Sequence, residues 1–240
     1  MSPRKLGFVD VGARGGTSSQ IEAYCDRLLR VLIEPEENEF IRLKALSAVD
    51  SSFKVVGTAL GHIDGTITLF ETVNPTCSSA LQVNHDFVDH YAIHVHFAMK
   101  AQTPVQCARY DTLFNTTDLP IPHIIKIDVQ GFEYQVLQGF GELLQQCLAI
   151  ELETHFYKLY RDQKMIGDLV DLLQPYDFVL RKVSNSRSPT LNGDPHFEGD
   201  LIEVDATFTK NKQWLRNRSE HTKSDFAVAC GVVGVPPYSE

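Results

Sequence analysis

Acidic side chains and a histidine stand near the ends of two neighbouring predicted strands. In the segment PHIIKIDVQGFE an apolar strand is interrupted by Lys126 and Asp128, which project to the same side because side chains alternate along a strand. The following strand, CLAIELETHF, carries Glu151, Glu153 and His155 on one face. Ligands of an open α/β sheet lie beyond the carboxyl ends of its strands. We therefore predict Asp128 as the first candidate for contact with a donor or an acceptor, with His155 or Glu153 as the alternative general base.

The same groups also have a purely structural interpretation. A buried charge must be paired, so Lys126 and Asp128 pair either with each other or with neighbouring residues. A row of two glutamates and a histidine can bind a metal ion. The residue types favour the simpler alternative, in which Glu151 pairs with a neighbouring cation and His155 is an ordinary loop histidine.

A glycine turn directly after the first predicted strand, in FVDVGARGG, predicts a nucleotide pocket. A dinucleotide-binding turn has the spacing G-x-G-x-x-G, but the glycines here are Gly12, Gly15 and Gly16. Asp10, two residues before the first glycine, would repel a pyrophosphate and attract the sulfonium and ammonium groups of S-adenosylmethionine. The charge therefore favours the methyl donor over NAD.

Another acid follows the second predicted strand. The apolar run 28–33 ends in Glu34 and Pro35, which places a carboxylate where the second strand of such a sheet meets an adenosine ribose. A carboxylate there can accept hydrogen bonds from both ribose hydroxyls. Glu34 fits either cofactor and does not discriminate between them.

Composition restricts the class of protein and its partners. A chain of 240 residues with 43% hydrophobic content is long enough for one domain with a substantial core, so we predict a single domain over 1–240. The net charge of -9, without a cluster of basic residues, argues against nucleic acid and anionic membrane as partners. Five scattered cysteines and the lack of a signal-like apolar stretch favour a reduced, cytoplasmic protein. Composition does not predict the oligomeric state.

Short β-branched runs alternate with segments of helical periodicity, which predicts an α/β fold of parallel strands joined by crossover helices. The predicted strands are 6–11, 28–33, 53–58, 123–128, 147–153 and 177–183, and 201–208 is a final, antiparallel strand. The predicted helices are 17–24, 35–48, 132–144 and 165–173. Residues 61–71 predict an extra antiparallel strand that extends the sheet edge or covers the pocket. Residues 224–235 fit a helix or a strand.

Two stretches with weak periodicity are predicted to select the acceptor. Residues 72–110 are dominated by polar residues, single histidines and two prolines. Residues 184–200 are rich in serine, asparagine, glycine and proline. Loops of this kind carry binding functions on a rigid scaffold, so both are predicted to be lid or substrate-binding insertions.

Taken in order, FVDVGARGG, IEPE, GTALG, NPTCSSAL, IIKIDVQGFEYQVLQG and AIELETHFYKLY resemble the FkbM-type methyltransferases. The resemblance covers roughly residues 6–183. It implies a Rossmann-like class I methyltransferase fold, with a mostly parallel seven-stranded sheet flanked by helices. It also implies S-adenosylmethionine as the cofactor and methyl transfer to an oxygen of a sugar or a related hydroxylated metabolite.

The resemblance also implies roles for individual residues. Asp10 and Gly12 would line the methionine side of the donor, Glu34 its ribose and Ala59 its adenine, while Asp128 would stand at the reaction edge. The predicted donor site comprises Asp10, Gly12, Ala13, Arg14, Glu34, Pro35, Ala59 and Asp128. Two positions depart from the common family pattern: Arg14 replaces an asparagine, and Gln130 replaces an acid.

Two other functions remain open on the sequence. An NAD-dependent oxidoreductase is disfavoured by the glycine spacing and by the lack of a recognisable catalytic Tyr/Lys or His/Asp arrangement. A non-catalytic binding module on a methyltransferase fold would keep the pocket without the transfer chemistry. A small-molecule or saccharide acceptor is the predicted partner of the enzyme.

Overall fold

The computed structural model describes residues 4–16, 19–50, 52–194, 196 and 199–239. Its main feature is a seven-stranded sheet. The strands of that sheet are β1 (Leu6–Val11), β2 (Leu28–Ile33), β3 (Phe53–Val56), β7 (Ile124–Ile127), β8 (Ala149–His155), β9 (Phe178–Arg187) and β10 (Glu203–Lys210). Their order is β3-β2-β1-β7-β8-β10-β9. β10 is antiparallel to both neighbours, whereas β3, β2, β1, β7 and β8 pair in parallel. The predicted mostly parallel sheet with an antiparallel last strand is confirmed.

The central strands are buried on both faces. All six residues of β1 are buried, and Ile124, Ile125 and Ile127 of β7 are 0% exposed. Parallel strands covered by helices on both sides are continuous apolar runs, which is why sequence patterns locate them well. The carboxyl ends of β1, β2 and β7 are neighbours in this sheet and position the acidic residues that follow them.

A second, three-stranded sheet stands apart from the first. It comprises β4 (Ala59–Leu60), β5 (Gly65–Thr72) and β6 (Met99–Ala108), in the order β4-β6-β5. β5 confirms the predicted antiparallel strand, but its partner is β6 and it does not extend the edge of the main sheet. β6 lies inside the weakly patterned stretch 72–110 and was not predicted. Pro104 lies within β6, and a proline weakens the sequence signal of a strand.

Helices connect the strands and cover both faces of the main sheet. They are α1 (Ser19–Glu22), α2 (Glu37–Val49), α3 (His85–Val88), α4 (Tyr110–Thr116), α5 (Glu133–Phe140), α6 (Ile166–Leu173), α7 (Lys212–Arg216) and α8 (Glu220–Val232). Short 3₁₀ turns span Cys25–Arg27, Pro75–Cys77, Ala92–Phe97, Gly141–Gln145 and Gln174–Tyr176. Residues 224–235, for which the sequence fitted either a helix or a strand, lie mostly in the helix α8.

Several predicted helix boundaries move for local reasons. The predicted helix 17–24 is only partly within the described residues, and α1 ends at Glu22. α2 begins two residues after Pro35, because the side chain of Glu36 accepts hydrogen bonds from the backbone N–H groups of Asn38 and Glu39 and caps the helix. The predicted helix 132–144 ends at Phe140, since Gly141 adopts a φ of 51°.

The core has two main layers, one on each face of the sheet. One layer packs α5 and α6 against the strands, with Val136, Leu137 and Phe140 among its buried residues. The other packs α8 against the opposite face, through residues such as Phe226 and Cys230. Both layers fix the strand ends rigidly, which keeps the polar residues beyond them in place. Over the described part of the chain, no helix is both long and apolar enough to cross a membrane.

Candidate active site

A cavity of about 840 Å³ opens at the carboxyl ends of β1, β2 and β7 and is covered by the second sheet. Its volume is typical of sites that bind small molecules and cofactors. Residues of both predicted insertions line it, in the segments 74–80 and 187–189. Of the lining residues, five carry carboxylates and three carry permanent cations. The lining carboxylates are Glu34, Glu36, Asp128, Glu153 and Glu203, and the cations are Arg14, Lys126 and Arg187.

The glycine turn after β1 holds three strand ends together. The backbone N–H groups of Gly12 and Ala13 both donate to the carbonyl of Ile33, at 3.0 and 3.1 Å. The N–H of Asp128 donates to the carbonyl of Val11 at 2.9 Å. Gly12 has a φ of +77°, and a Cβ atom there would lie 1.9 Å from the carbonyl oxygen of Asp128. Only glycine fits this position, and it lets the cavity reach the backbone.

Asp10 lies behind the cavity wall and is 1% exposed. Its Oδ1 pairs with Nζ of Lys126 at 3.2 Å, and the two residues are register partners on β1 and β7. Burial raises the pKa of the Asp10 carboxyl, and the Lys126 ammonium opposes that rise. Lys126 lines the cavity but Asp10 does not. Of the two pairings considered for Lys126, the structure has the one with a neighbouring residue, Asp10, and not the one with Asp128. A direct contact of Asp10 with the donor stays a prediction.

Glu34 and Pro35 line the cavity where β2 ends. Glu34 is 4% exposed, and its Oε1 accepts a hydrogen bond from the backbone N–H of Glu36 at 2.9 Å. Burial raises the pKa of Glu34, while the Glu36 N–H and the Arg14 guanidinium act in the opposite direction. Within the described residues, Oε2 of Glu34 accepts no hydrogen bond, so it is free to accept from a ligand hydroxyl.

The other predicted donor-site residues divide into two groups. Ala59 lines an apolar part of the cavity beside Leu60 and Phe132, which suits a flat aromatic ring. Arg14 also lines the cavity, where its guanidinium lies 3.6 Å from a carboxylate oxygen of Glu36. Ala13 does not: its methyl group is 1% exposed and packs into a core cluster beneath α2.

Gln130 connects the two acids that face the cavity. Its amide Nε2 donates to Oδ1 of Asp128 at 3.2 Å and also to Oε1 of Glu153. Its Oε1 accepts from the hydroxyl of Tyr160 at 3.1 Å. The backbone of Gln130 is left-handed, with a φ of 57°. Sequence reasoning noted Gln130 only as a departure from a pattern, because neither its strained φ nor its partners can be recognised from a sequence.

Glu153 lines the cavity and is 5% exposed. Burial raises its pKa to about 8, with further contributions from repulsion by Asp128 and Glu133. Glu133 itself is buried and accepts hydrogen bonds from the backbone N–H groups of Val129 and Gly131, at 3.2 and 3.0 Å. Glu133 therefore closes the turn after β7 as well as beginning α5.

His155 is sealed in the interior, with 0% of its surface exposed, and is not a lining residue. Burial lowers the pKa of its imidazole to about 4. The structure brings His155 together with Glu153 and Glu203, whose ligand atoms all lie within 4.8 Å of one another. Glu151 is outside this group. Glu203 was missed by sequence reasoning, because only the register of β10 against β8 places it opposite His155.

The order of the seven strands, with β10 antiparallel between β8 and β9, defines the class I methyltransferase fold. The family model of the Methyltransferase FkbM domain matches residues 10–180. The chain therefore belongs to the FkbM methyltransferase family.

Several proteins similar to this chain are methyltransferases by name. Hexuronic acid methyltransferase AglP from Haloferax volcanii is 29% identical over 82 residues, which cover 31% of this chain and 34% of that relative. The match thus spans about a third of the relative's length. Two solved structures are similar over 87% of this chain: precorrin-6Y C5,15-methyltransferase from Geobacter metallireducens and magnesium protoporphyrin IX methyltransferase from Synechocystis with bound SAM. The first has 12% identity, a TM-score of 0.40 and 82% coverage of that chain, and the second 9%, 0.43 and 71%.

Proposed function

We propose that this protein is an S-adenosylmethionine-dependent O-methyltransferase whose acceptor is a sugar hydroxyl, with a hexuronic acid as the first acceptor class to test. The observation that carries the proposal is the cavity at the ends of β1, β2 and β7, which combines a close-approach glycine turn with a buried carboxylate at the end of β2. Family membership and the partial similarity to a hexuronic acid methyltransferase support the reaction and the acceptor class.

The residues present fit this donor better than they fit NAD. A cavity with five carboxylates against three cations attracts a sulfonium and an ammonium group and repels a pyrophosphate. In this proposal Glu34, which lines the cavity, would accept hydrogen bonds from the ribose hydroxyls, and the apolar wall at Ala59 and Leu60 would hold the adenine. Gly12 and Asp128 line the cavity next to each other, where the methionine part would lie.

S-adenosylmethionine supplies an electrophilic methyl group on a sulfonium, and its sulfur leaves as a neutral thioether. The protein's part is to place the acceptor oxygen in line with that methyl group and to remove the hydroxyl proton. Positioning of two bound reactants is worth ~7–11 kcal/mol and a general base a factor of about 10² to 10⁴. Asp128, which is open to the cavity, is the first candidate for the base, and Glu153 is the second. Burial outside the lining argues against His155 in that role.

The first test separates the cofactor classes by calorimetric titration with S-adenosylhomocysteine and with NAD. We expect the adenosyl compound alone to bind. Glu34→Gln should weaken that binding by about 10-fold or more, since hydrogen bonds to a charged group are worth ~1.5–3 kcal/mol. Glu37→Gln is the matched control, because Glu37 is an exposed glutamate three residues further along the chain, at the start of α2. Binding of NAD alone would establish an oxidoreductase and overturn the proposal.

The second test addresses catalysis. S-adenosylmethionine is incubated with free hexuronic acids and with neutral sugars, and S-adenosylhomocysteine formation is measured. We expect turnover with at least one hexuronic acid. Donor binding without product from any sugar would favour the binding-module alternative, and turnover with neutral sugars alone would remove the hexuronic acid from the proposal.

A further inference from the structure

Two antiparallel strands bring three metal-ligating side chains to the edge of the cavity. Glu203 of β10 lies directly opposite His155 of β8, and Glu153 precedes His155 by two residues on the same face. Their ligand atoms all lie within 4.8 Å of one another. Ligands of one ion at ~2.1 Å lie up to ~4.2 Å apart, so small side-chain rotations bring the three groups to a common ion.

A second observation points to a ligand at this place. His155 is 0% exposed, yet neither of its ring nitrogens makes a hydrogen bond within the described residues. Nε2 lies 3.5 Å from Oε2 of Glu203 without the geometry of a hydrogen bond. A buried polar group without a partner costs free energy, and a bound ion removes that cost. A cation between the two glutamates would give one of these ring nitrogens, Nε2, a partner.

We propose that Glu153, His155 and Glu203 form a divalent-cation site at the edge of the cavity. Two carboxylates and one imidazole suit a first-row divalent ion, with Mn²⁺ as the probe of choice for a carboxylate-rich set. Glu153 and Glu203 line the cavity, whereas His155 lies behind them. Coordination positions that the protein leaves open therefore face the substrate side.

The role of this ion rests on the proposed function. A cation there would bind a hydroxyl or carboxylate oxygen of the acceptor and lower the pKa of an attached hydroxyl, which favours attack on the methyl group. Its position on β8 and β10 places it at the acceptor end of the cavity, since the donor-site residues follow β1 and β2.

Arg187 is the competitor for this place. Its Nη1 lies 3.2 Å from Oε2 of Glu153 and also contacts Oε1 of Glu203. The Arg187 side chain is 63% exposed, so it can leave the carboxylates without disturbing the core. Two structural alternatives therefore differ in one measurable way. If Arg187 is the permanent counter-ion, the wild-type protein binds no Mn²⁺, whereas in a metal site the wild type binds Mn²⁺ and removal of Arg187 tightens that binding.

The test measures Mn²⁺ binding to the chelator-treated full chain, by the electron paramagnetic resonance signal of free Mn²⁺, in the absence of S-adenosylmethionine. We expect wild type to bind Mn²⁺ at one site per chain. Glu203→Gln should weaken binding at least 10-fold, and Arg187→Gln should tighten it several-fold. Glu22→Gln, an exposed glutamate far along the chain from the site, is the matched control and should bind as wild type does.

The outcomes are distinguishable from those for the proposed function. Failure of wild type to bind Mn²⁺, whether or not Arg187→Gln binds it, or equal binding by Glu203→Gln and wild type, would overturn the metal site. Circular dichroism checks that Glu203→Gln is folded, and Arg187→Gln gives an independent answer if it is not. If the protein binds S-adenosylhomocysteine but does not bind Mn²⁺, the proposed function stands and the metal site is rejected. If it binds Mn²⁺ but transfers no methyl group, the metal site stands and the proposed function is rejected.

Discussion

The turn after β1 offers a matched pair of glycine substitutions. Gly12 and Gly15 both have left-handed backbones, with φ values of +77° and +85°. A Cβ atom on Gly15 would meet nothing within 4 Å. A Cβ atom on Gly12 would lie 1.9 Å from the carbonyl oxygen and 2.9 Å from the carbonyl carbon of Asp128. Gly12→Ala and Gly15→Ala therefore share the cost of the backbone conformation and differ in the collision.

The cost of the left-handed backbone and the cost of the collision with Asp128 can be estimated separately. An alanine in the left-handed region costs ~1–2 kcal/mol, and this is the whole expected loss for Gly15→Ala. Gly12→Ala adds an overpacking cost of ~1–3 kcal/mol, because the methyl group must move more than ~1 Å to reach an ordinary C···O separation. That movement pushes the end of β7 away from β1 and stretches the hydrogen bond from Asp128 N to Val11 O. We expect a total loss of ~2–5 kcal/mol for Gly12→Ala.

Urea unfolding measures the free energy of unfolding of both variants, and titration with S-adenosylhomocysteine measures their donor affinity. We expect Gly12→Ala to lose both stability and at least 10-fold in affinity, since Gly12 lines the cavity and Gly15 does not. Gly15→Ala should keep donor affinity. Equal losses of stability, or unchanged affinity in Gly12→Ala, would refute the assignment of Gly12 as the close-approach residue of the donor site.

Three further predictions concern buried polar groups. Asp10→Asn leaves the Lys126 ammonium without its partner and should lower the free energy of unfolding by ~3–5 kcal/mol, with partial recovery in Asp10→Asn/Lys126→Met; no recovery in urea unfolding would exclude the pair as the cause. Burial lowers the pKa of the Lys210 ammonium to about 8, so the cost of holding that charge is present below pH 8 and fades towards pH 10.5. The free energy of unfolding of wild type relative to Lys210→Met should therefore rise by up to ~3 kcal/mol over that interval, and a flat difference would contradict the burial argument. Gln130→Ala removes the amide between Asp128 and Glu153 and should lower thermal stability and donor affinity together, whereas loss of stability alone would make Gln130 a purely structural residue.

The parallel core of the fold could be predicted because its signals are local. β1 and β2 have the predicted bounds, since apolar residues dominate both strands and a turn-forming Gly12 or a charged Glu34 follows directly. β6 escaped prediction because it carries Pro104 and because polar residues such as Gln102 and Gln106 break its apolar pattern. β6 is a strand because it pairs with β5, and its own residues do not predict it.

The candidate site could be predicted only in part, for a related reason. The alternation along a strand predicts where Asp10 and His155 lie in their strands. It does not predict which side chains of other strands contact them. Asp10 meets Lys126 through the register of β1 against β7, and His155 meets Glu203 through the register of β8 against β10. Both registers are long-range properties, so a cavity-facing position and a sealed one look alike in the sequence.

The two proposed ligands follow from one electrostatic fact. Five carboxylates line the cavity against three cations, and burial raises the pKa of Glu34 although the Arg14 guanidinium opposes that rise. Native proteins keep such costs mainly at functional sites, where a ligand removes them. A sulfonium donor beyond β1 and β2 and a divalent ion between β8 and β10 would each neutralise a different part of this excess. Each ligand should stabilise the fold on its own. Because Gln130 joins Asp128 of the donor site to Glu153 of the cation site, the increases in the free energy of unfolding should depart from additivity when both ligands are bound, which urea unfolding with each ligand and with both measures.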